Sequence, residues 1–157
     1  MQQSIQHNLF FKQSPHEVWA YLTTPELMEM WLMKTDFQPV VGAQFQFFAK
    51  PVPAIDFDGN IYCTVLEAAP FQKLTYSWKT GPGDGVITLD SVVEWTLVPK
   101  ENGTELQLFH HGFKETDNIM MITALDGGWY KNMHKISEFL NNTTNATTDT
   151  GCVSGDS

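Results

Sequence analysis

The stretch AAPFQKLTYSW, residues 68–78, places a proline turn directly before a strand-like segment. Its last five residues, 74–78, alternate between apolar and polar side chains, which is the period of a strand with one buried face. A second strand-like segment, residues 61–66, lies a short turn upstream, and short connections between successive strands favour antiparallel pairing. The stretch therefore predicts the centre of an antiparallel meander.

The strand signal extends in both directions from this centre. Residues 35–113 contain further strand-like segments separated by turn signals, and the Asn-Gly pair within residues 101–103 predicts a hairpin between segments 92–98 and 104–113. Residues 5–11 also alternate, so a first strand is predicted near the start of the chain. We expect about six to seven antiparallel strands.

Two short helices are predicted between the first strand and the others. The sequence SPHE at residues 14–17 supplies the hydroxyl, the proline and the glutamate of a reciprocal capping box. The sequence TPE at residues 24–26 repeats the cap-plus-proline signal, so the first helix must be short. Neither helix is long enough to form a core alone, and both are expected to close one end of the sheet.

A long amphipathic helix is predicted from residue 118 onward. Its apolar stripe has spacings of four, three and four: Trp129, Met133, Ile136 and Leu140. Gly127-Gly128 inside this helix costs about 1 kcal/mol per glycine relative to alanine, which suggests a close approach to another element or a bend. The helix is expected to end before the polar tail, residues 143–157, whose composition predicts disorder.

These elements predict one α+β domain over residues 1–142, in which a strongly curved antiparallel sheet wraps the final helix. The net charge of −9 argues against nucleic-acid binding and against anionic membrane surfaces. No apolar run approaches the roughly 18 to 20 residues of a membrane-spanning helix, and the first residues lack a secretory signal. Cys63 and Cys152 are too far apart for a metal knuckle or a disulfide framework. We therefore expect a soluble, cytoplasmic protein.

Several short motifs resemble those of one family. They are VW at 18–19, TPEL at 24–27, Trp31, VGAQF at 41–45, VLEAAP at 65–70, LTYSW at 74–78, GTELQL at 103–108, HHGF at 110–113 and GW at 128–129. Their order over residues 5–141 resembles the Aha1-like (activator of Hsp90 ATPase homologue 1-like) family of the START-like, Bet v 1-related superfamily. The resemblance implies a helix-grip fold with a cavity between sheet and helix. Ala43 departs from a family glycine, and the glycine-rich loop 81–85 could alter access to that cavity.

The side chains that face such a cavity are the candidate ligand contacts. Strand parity and the helix stripe turn a larger apolar set inward, and eight of its members, together with His110 on an inward strand face, are taken as the candidates: Phe45, Phe47, Tyr76, Trp78, Trp95, Leu108, His110, Trp129 and Met133. For each of them, packing in an ordinary core is the alternative. His110 points inward and is expected to be a structural histidine rather than a general base, whereas His111 faces solvent.

Three functions are compatible with the sequence. The first is noncatalytic binding of a hydrophobic or aromatic small molecule, or of a lipid, in the cavity. The resemblance implies the other two: a partner or ATPase activator of an Hsp90-family chaperone, and a polyketide cyclase-like enzyme in which Tyr76 and His110 are the residues to test. No HExxH, P-loop, GxGxxG or GxSxG motif occurs, so no catalytic residue, metal or cofactor is assigned.

The role of a methionine cluster and the oligomeric state are left open by the sequence. Met28, Met30 and Met33 form an adaptable apolar cluster that could be a lid or a partner surface, although packing of the short helices on the sheet is favoured. The sequence also leaves open a homodimer.

Overall fold

A computed structural model of the chain describes residues 4–150, with side chains up to residue 142. In chain order its elements are β1 (Ser4–Phe11), α1 (Pro15–Thr23), α2 (Pro25–Trp31), β2 (Lys34–Thr35), β3 (Gln44–Phe48), a 3₁₀ turn (Pro53–Ile55), β4 (Asn60–Ala69), β5 (Lys73–Thr80), β6 (Leu89–Lys100), β7 (Gly103–His111) and α3 (Ile119–Thr150). Within the described part of the chain, no helix is long and apolar enough to cross a membrane.

The seven strands form one antiparallel sheet in the order β1-β7-β6-β5-β4-β3-β2. The strands β2 to β7 follow one another as the predicted meander, and β1 pairs with β7. Because β1 and β2 lie at opposite edges, α1 and α2 carry the chain from one edge to the other. The register shifts between Val65 and Glu67, a bulge that bends β4, and the sheet curls around α3. The predicted α+β architecture is confirmed.

The short helices begin where the capping signals predicted. Ser14 Oγ accepts a hydrogen bond from the Glu17 backbone N–H at 3.4 Å, and the Glu17 carboxylate accepts one from the Ser14 N–H at 3.1 Å. Thr24 is the N-cap of α2, but its side chain makes no capping hydrogen bond. Pro25, whose fixed φ suits the first helical position, therefore marks the start of α2 by backbone geometry alone.

The last helix, α3, runs further than predicted. It continues to Thr150 through Asn- and Thr-rich sequence, because extending a helix adds one hydrogen bond per residue whereas starting one is costly. The predicted end before the polar tail is therefore wrong. The predicted disorder of residues 143–157 falls partly on this helix and partly on residues 151–157, outside the described residues, and it stays a prediction.

The inner face of the sheet and one face of α3 form a single core. The inward parity predicted for the strands is confirmed, and the four stripe residues of α3 are also buried. Aromatic rings meet edge to face within this core, for example Phe45 with Tyr76 at 5.3 Å and Trp95 with Trp129 at 5.4 Å between ring centroids. Each such buried side chain contributes about 1.5–3 kcal/mol, so the core accounts for much of the stability.

Candidate functional site

A cavity of about 200 Å³ lies between α3 and the sheet and is open to solvent. Its walls come from α3, from β4 and β5, from the loop at residues 52–57, and from the residues that follow α2. Among the described residues that line it, the side chains are apolar or aromatic apart from Thr80 and Asn132, and none is charged. The lining residues are Leu32, Met33, Val52, Ile55, Phe57, Ile61, Trp78, Thr80, Met121, Ala124, Leu125, Gly128, Trp129 and Asn132.

Gly128 provides space on the helix side of the cavity. A Cβ placed on Gly128 meets no atom within 4 Å, and Gly128 lines the cavity. Gly127 has equally open space around it, but it lies on the exposed side of α3 and does not line the cavity. The predicted close approach of another element at these glycines is therefore wrong, because the space belongs to the cavity in one case and to solvent in the other.

Trp78 and Thr80 form the polar part of the sheet wall. They lie two residues apart on β5, so both side chains face the inner side of the sheet. Trp78 is 2% exposed and Thr80 is 1% exposed, and neither Trp78 Nε1 nor Thr80 Oγ1 has a hydrogen-bond partner among the described residues. A buried polar group without a partner costs about 1–3 kcal/mol. Two residues that line the cavity thus each carry a buried polar atom without a partner among the described residues.

Two parts of the cavity lining lie outside the sheet and α3, namely the loop at residues 52–57 and the residues that follow α2. The loop at residues 52–57 is closed by a hydrogen bond from the Val52 N–H to the Phe57 carbonyl at 2.8 Å. The methionine cluster divides: Met28 is buried in the core as the packing alternative expected, Met30 is 44% exposed, and Met33 lines the cavity. Of the three methionines, only Met33 therefore lines the cavity.

Two of the nine predicted contact residues, Trp78 and Trp129, line the cavity. The other seven are buried, and the packing alternative describes their place in the structure: Phe45, Phe47, Tyr76, Trp95, Leu108, His110 and Met133. The cavity lies toward one end of the sheet–helix interface, and these seven side chains fill the remainder. A ligand contact for them gains no support from this cavity.

His110 is held in a buried network between the sheet and α3. The Trp129 indole N–H donates to His110 Nδ1 at 3.0 Å, so Nδ1 is an acceptor. His110 Nε2 lies 2.8 Å from Ser91 Oγ, which itself donates to the Trp78 carbonyl oxygen at 2.9 Å. The network therefore assigns a neutral ring with its proton on Nε2, donated to Ser91.

This network is suited to packing rather than to proton transfer. Burial, with a smaller effect of the neighbouring His111, lowers the pKa of His110 from 6.5 to about 3. Ser91 cannot act as a nucleophile activated by His110, because the ring donates to Ser91 Oγ instead of accepting its proton. The structural-histidine expectation for His110 agrees with this geometry.

Tyr76 and Cys63 are also enclosed by the core. The Trp95 indole N–H donates to the Tyr76 hydroxyl at 3.0 Å, and burial raises the pKa of Tyr76 well above its usual range. Burial, followed by the nearby charge of Asp36, likewise raises the pKa of the Cys63 thiol. The thiolate form of Cys63 is therefore disfavoured, in keeping with a small buried side chain rather than a reactive thiol.

The polar residues of the outer sheet face form a separate group. His111 Nε2 lies 2.6 Å from Glu94 Oε2, and Lys73 Nζ lies 3.3 Å from Glu94 Oε1. Desolvation raises the pKa of Glu94, but hydrogen bonds from His111 and Lys73 outweigh it, so the pKa lies below its usual range. In the described residues, no group of three or more His, Cys, Asp or Glu side chains is placed to hold a metal ion.

The sequence contained a signal for part of the missed lining. Thr80 shares its strand parity with Tyr76 and Trp78, so the same alternation points it inward. Met121, Leu125 and Asn132 continue the helical spacing around Gly128 and Trp129. The loop residues had no such signal, since their positions depend on how the loop folds over the sheet.

Comparison with known proteins finds one family and many similar structures. Residues 12–141 match the family model described as Activator of Hsp90 ATPase homolog 1-like protein. The crystal structure of protein MLL2253 from Mesorhizobium loti is 32% identical, covers 90% of this chain and 98% of that chain, and has a TM-score of 0.78.

Two more distant structures share the fold. CalU16 from Micromonospora echinospora is 24% identical, with 87% of this chain and 74% of that chain covered and a TM-score of 0.69. The solution structure of the Aha1 dimer from Colwellia psychrerythraea is 19% identical, with 87% and 95% covered and a TM-score of 0.69. No curated protein matches the sequence.

Proposed function

The chain belongs to the activator of Hsp90 ATPase homologue 1-like family, and from this premise we propose that it is a noncatalytic protein that binds a small hydrophobic or aromatic molecule. The observation that carries the proposal is the apolar cavity between α3 and the sheet. Trp78 from β5 and Trp129 from α3 both line it, and their rings contact each other with 5.1 Å between the ring centroids. Aromatic walls of this kind are typical of small-molecule sites.

The volume of the cavity limits the size of the ligand. An engineered cavity of about 150 Å³ binds benzene, so about 200 Å³ suits one ring with a short substituent. A lipid with long acyl chains is far too large to be enclosed. The size therefore favours an aromatic or short-chain molecule over a lipid.

The surroundings of the cavity favour binding over catalysis. A cyclase-like mechanism needs polar side chains that converge on the ligand and can exchange protons. His110 and Tyr76, the two candidates for this role, do not line the cavity, and their polar atoms are engaged in hydrogen bonds to the core.

The paired glycines of α3 give a matched test. Gly128→Leu places an apolar side chain in the cavity, whereas Gly127→Leu places the same side chain in solvent. Both changes replace a helical glycine with a good helix former and so raise helix propensity equally. Toluene affinity, measured by isothermal titration calorimetry, is the comparison.

We expect wild type and Gly127→Leu to bind toluene with equal affinity. The affinity of Gly128→Leu for toluene should be at least tenfold lower, because the added side chain occupies the volume that the ligand needs. Equal binding by both variants would place toluene elsewhere. An absence of binding to wild type up to the solubility limit of toluene would contradict the proposal.

A second candidate follows from the family description, which names an activator of Hsp90 ATPase. Stimulation of the ATPase of an Hsp90-family chaperone from the same organism tests this role. The Gly128→Leu variant separates the two candidates, since a role carried by the protein's outer surface does not depend on the cavity.

A further inference from the structure

The unpaired polar atoms of two residues that line the cavity, Trp78 and Thr80, restrict the chemistry of its ligand. Resting on the proposed function, we propose that the ligand is a neutral molecule with a hydrogen-bond acceptor, of which an aryl ketone is the simplest representative. Its oxygen meets the indole N–H of Trp78 and the hydroxyl of Thr80, and its apolar part fills the rest of the cavity.

The two tryptophans of the cavity differ in hydrogen bonding. Trp129 already donates its N–H to His110 Nδ1 at 3.0 Å, whereas Trp78 Nε1 has no partner among the described residues. An indole N–H is a donor only, so the group that completes Trp78 must be an acceptor. Thr80, two residues along the same strand face, can donate to the same acceptor or accept from a hydroxyl.

The absence of charge in the described lining disfavours a charged group inside the cavity. No Lys, Arg, His, Asp or Glu lines the cavity, so the charge of a carboxylate or an ammonium group would be enclosed without compensation. A carbonyl or ether oxygen accepts a hydrogen bond without carrying a charge. The donor set therefore favours a neutral acceptor.

The ligand needs an acceptor whether or not water also reaches Trp78 Nε1 and Thr80 Oγ1. A ligand that displaces a water from Trp78 Nε1 must replace its hydrogen bond, or the N–H is left unpaired. Neither polar atom has appreciable accessible surface in this structure, so the neighbouring side chains must adjust. Met33 and Met121, flexible and unbranched, are the lining residues best suited to this adjustment.

Acetophenone and α-methylstyrene form a matched pair of probes, since they differ mainly in a C=O group in place of a C=CH₂ group. We expect wild type to bind acetophenone about tenfold or more tightly than α-methylstyrene. Thr80→Val and Trp78→Phe each remove one donor and should reduce this preference. Affinity for α-methylstyrene should change little in Thr80→Val, whose replacement side chain has nearly the same shape.

Thr75→Val is the control variant. Thr75 lies on the same strand and its buried Oγ1 also has no partner, but it does not line the cavity, so the acetophenone preference should persist. Equal affinity of wild type for the two probes, or an unchanged preference in both Thr80→Val and Trp78→Phe, would overturn the inference while leaving the cavity intact. If neither probe nor toluene binds, the proposed function fails and the inference fails with it.

Discussion

His110 should make the stability of the protein depend steeply on pH. Its ring is neutral in the folded state, where burial and the neighbouring His111 lower the pKa from 6.5 to about 3. The unfolded chain binds a proton at this position below pH 6.5, so the stability that His110 contributes is complete above that pH. It is lost progressively as the pH falls toward 3.

The magnitude follows from the two pKa values. With a pKa of 6.5 in the unfolded chain and about 3 in the folded protein, lowering the pH from 7 to 4.5 removes about 2.5 kcal/mol through His110 alone. Protonation would also set a second N–H against the Trp129 indole, which donates to the same nitrogen. Among the described residues, the His110 ring contacts Ser91, Trp129, Trp78 and Phe113, none of which is a carboxylate that would favour the charged form.

Urea unfolding at pH 7 and pH 4.5 measures this effect. His110→Gln keeps an amide that can accept from Trp129 and donate to Ser91, but it does not titrate. Carboxylates such as Glu94, whose pKa is also lowered, weaken both proteins alike as the pH falls. The wild type should therefore lose about 2.5 kcal/mol more than His110→Gln between the two pH values.

Equal losses in the two proteins would refute the neutral, buried network. A direct measurement covers the case in which His110→Gln does not fold. In wild-type protein, the NMR signal of the His110 ring should not titrate above pH 5, and a titration midpoint near 6.5 would contradict the assignment. Such a midpoint would also return His110 to consideration as a general base.

Two further predictions test local features. Ser14→Ala should lower the free energy of unfolding by about 1 kcal/mol, because it removes the capping hydrogen bond of α1. Thr24→Ala should lower the free energy of unfolding by less, because the Thr24 side chain makes no capping hydrogen bond. Urea unfolding of both variants measures the difference. Cys63 should react with a thiol reagent such as DTNB only on unfolding, since burial shields the thiol and raises its pKa. The assay uses a Cys152→Ser background, so that Cys63 is the one thiol measured. Rapid reaction of the folded protein would contradict the burial of Cys63.

Much of the fold could be predicted because its signals are local. The capping box at Ser14, the alternation of residues 74–78 and the Asn-Gly hairpin each fix a start, a face or a turn within a few residues. The hairpin glycine, Gly103, has a further role that no local pattern contains. A Cβ there would lie 1.9 Å from the Phe11 carbonyl oxygen, so the end of β1 requires glycine.

The cavity could be predicted only in part because burial does not distinguish a core from a cavity wall. Trp78 and Trp95 have the same inward parity, yet Trp78 lines the cavity and Trp95 is enclosed by other rings. The difference depends on how α3 and the loop at residues 52–57 are placed over the sheet. The hydrogen-bond partners of His110 could not be predicted from local sequence patterns either, since Ser91 and Trp129 each lie 19 residues away in sequence.

Titration of uniformly ¹⁵N-labelled protein with toluene tests the central claim most directly. The five tryptophans, Trp19, Trp31, Trp78, Trp95 and Trp129, each provide an indole N–H signal, and two of them belong to the cavity wall. We predict that the signals of Trp78 and Trp129 shift most, in a saturable manner, while those of Trp19 and Trp31 change little. Saturable shifts centred on Trp19 or Trp31, or no shift in any indole signal up to the solubility limit, would contradict a ligand site between α3 and the sheet.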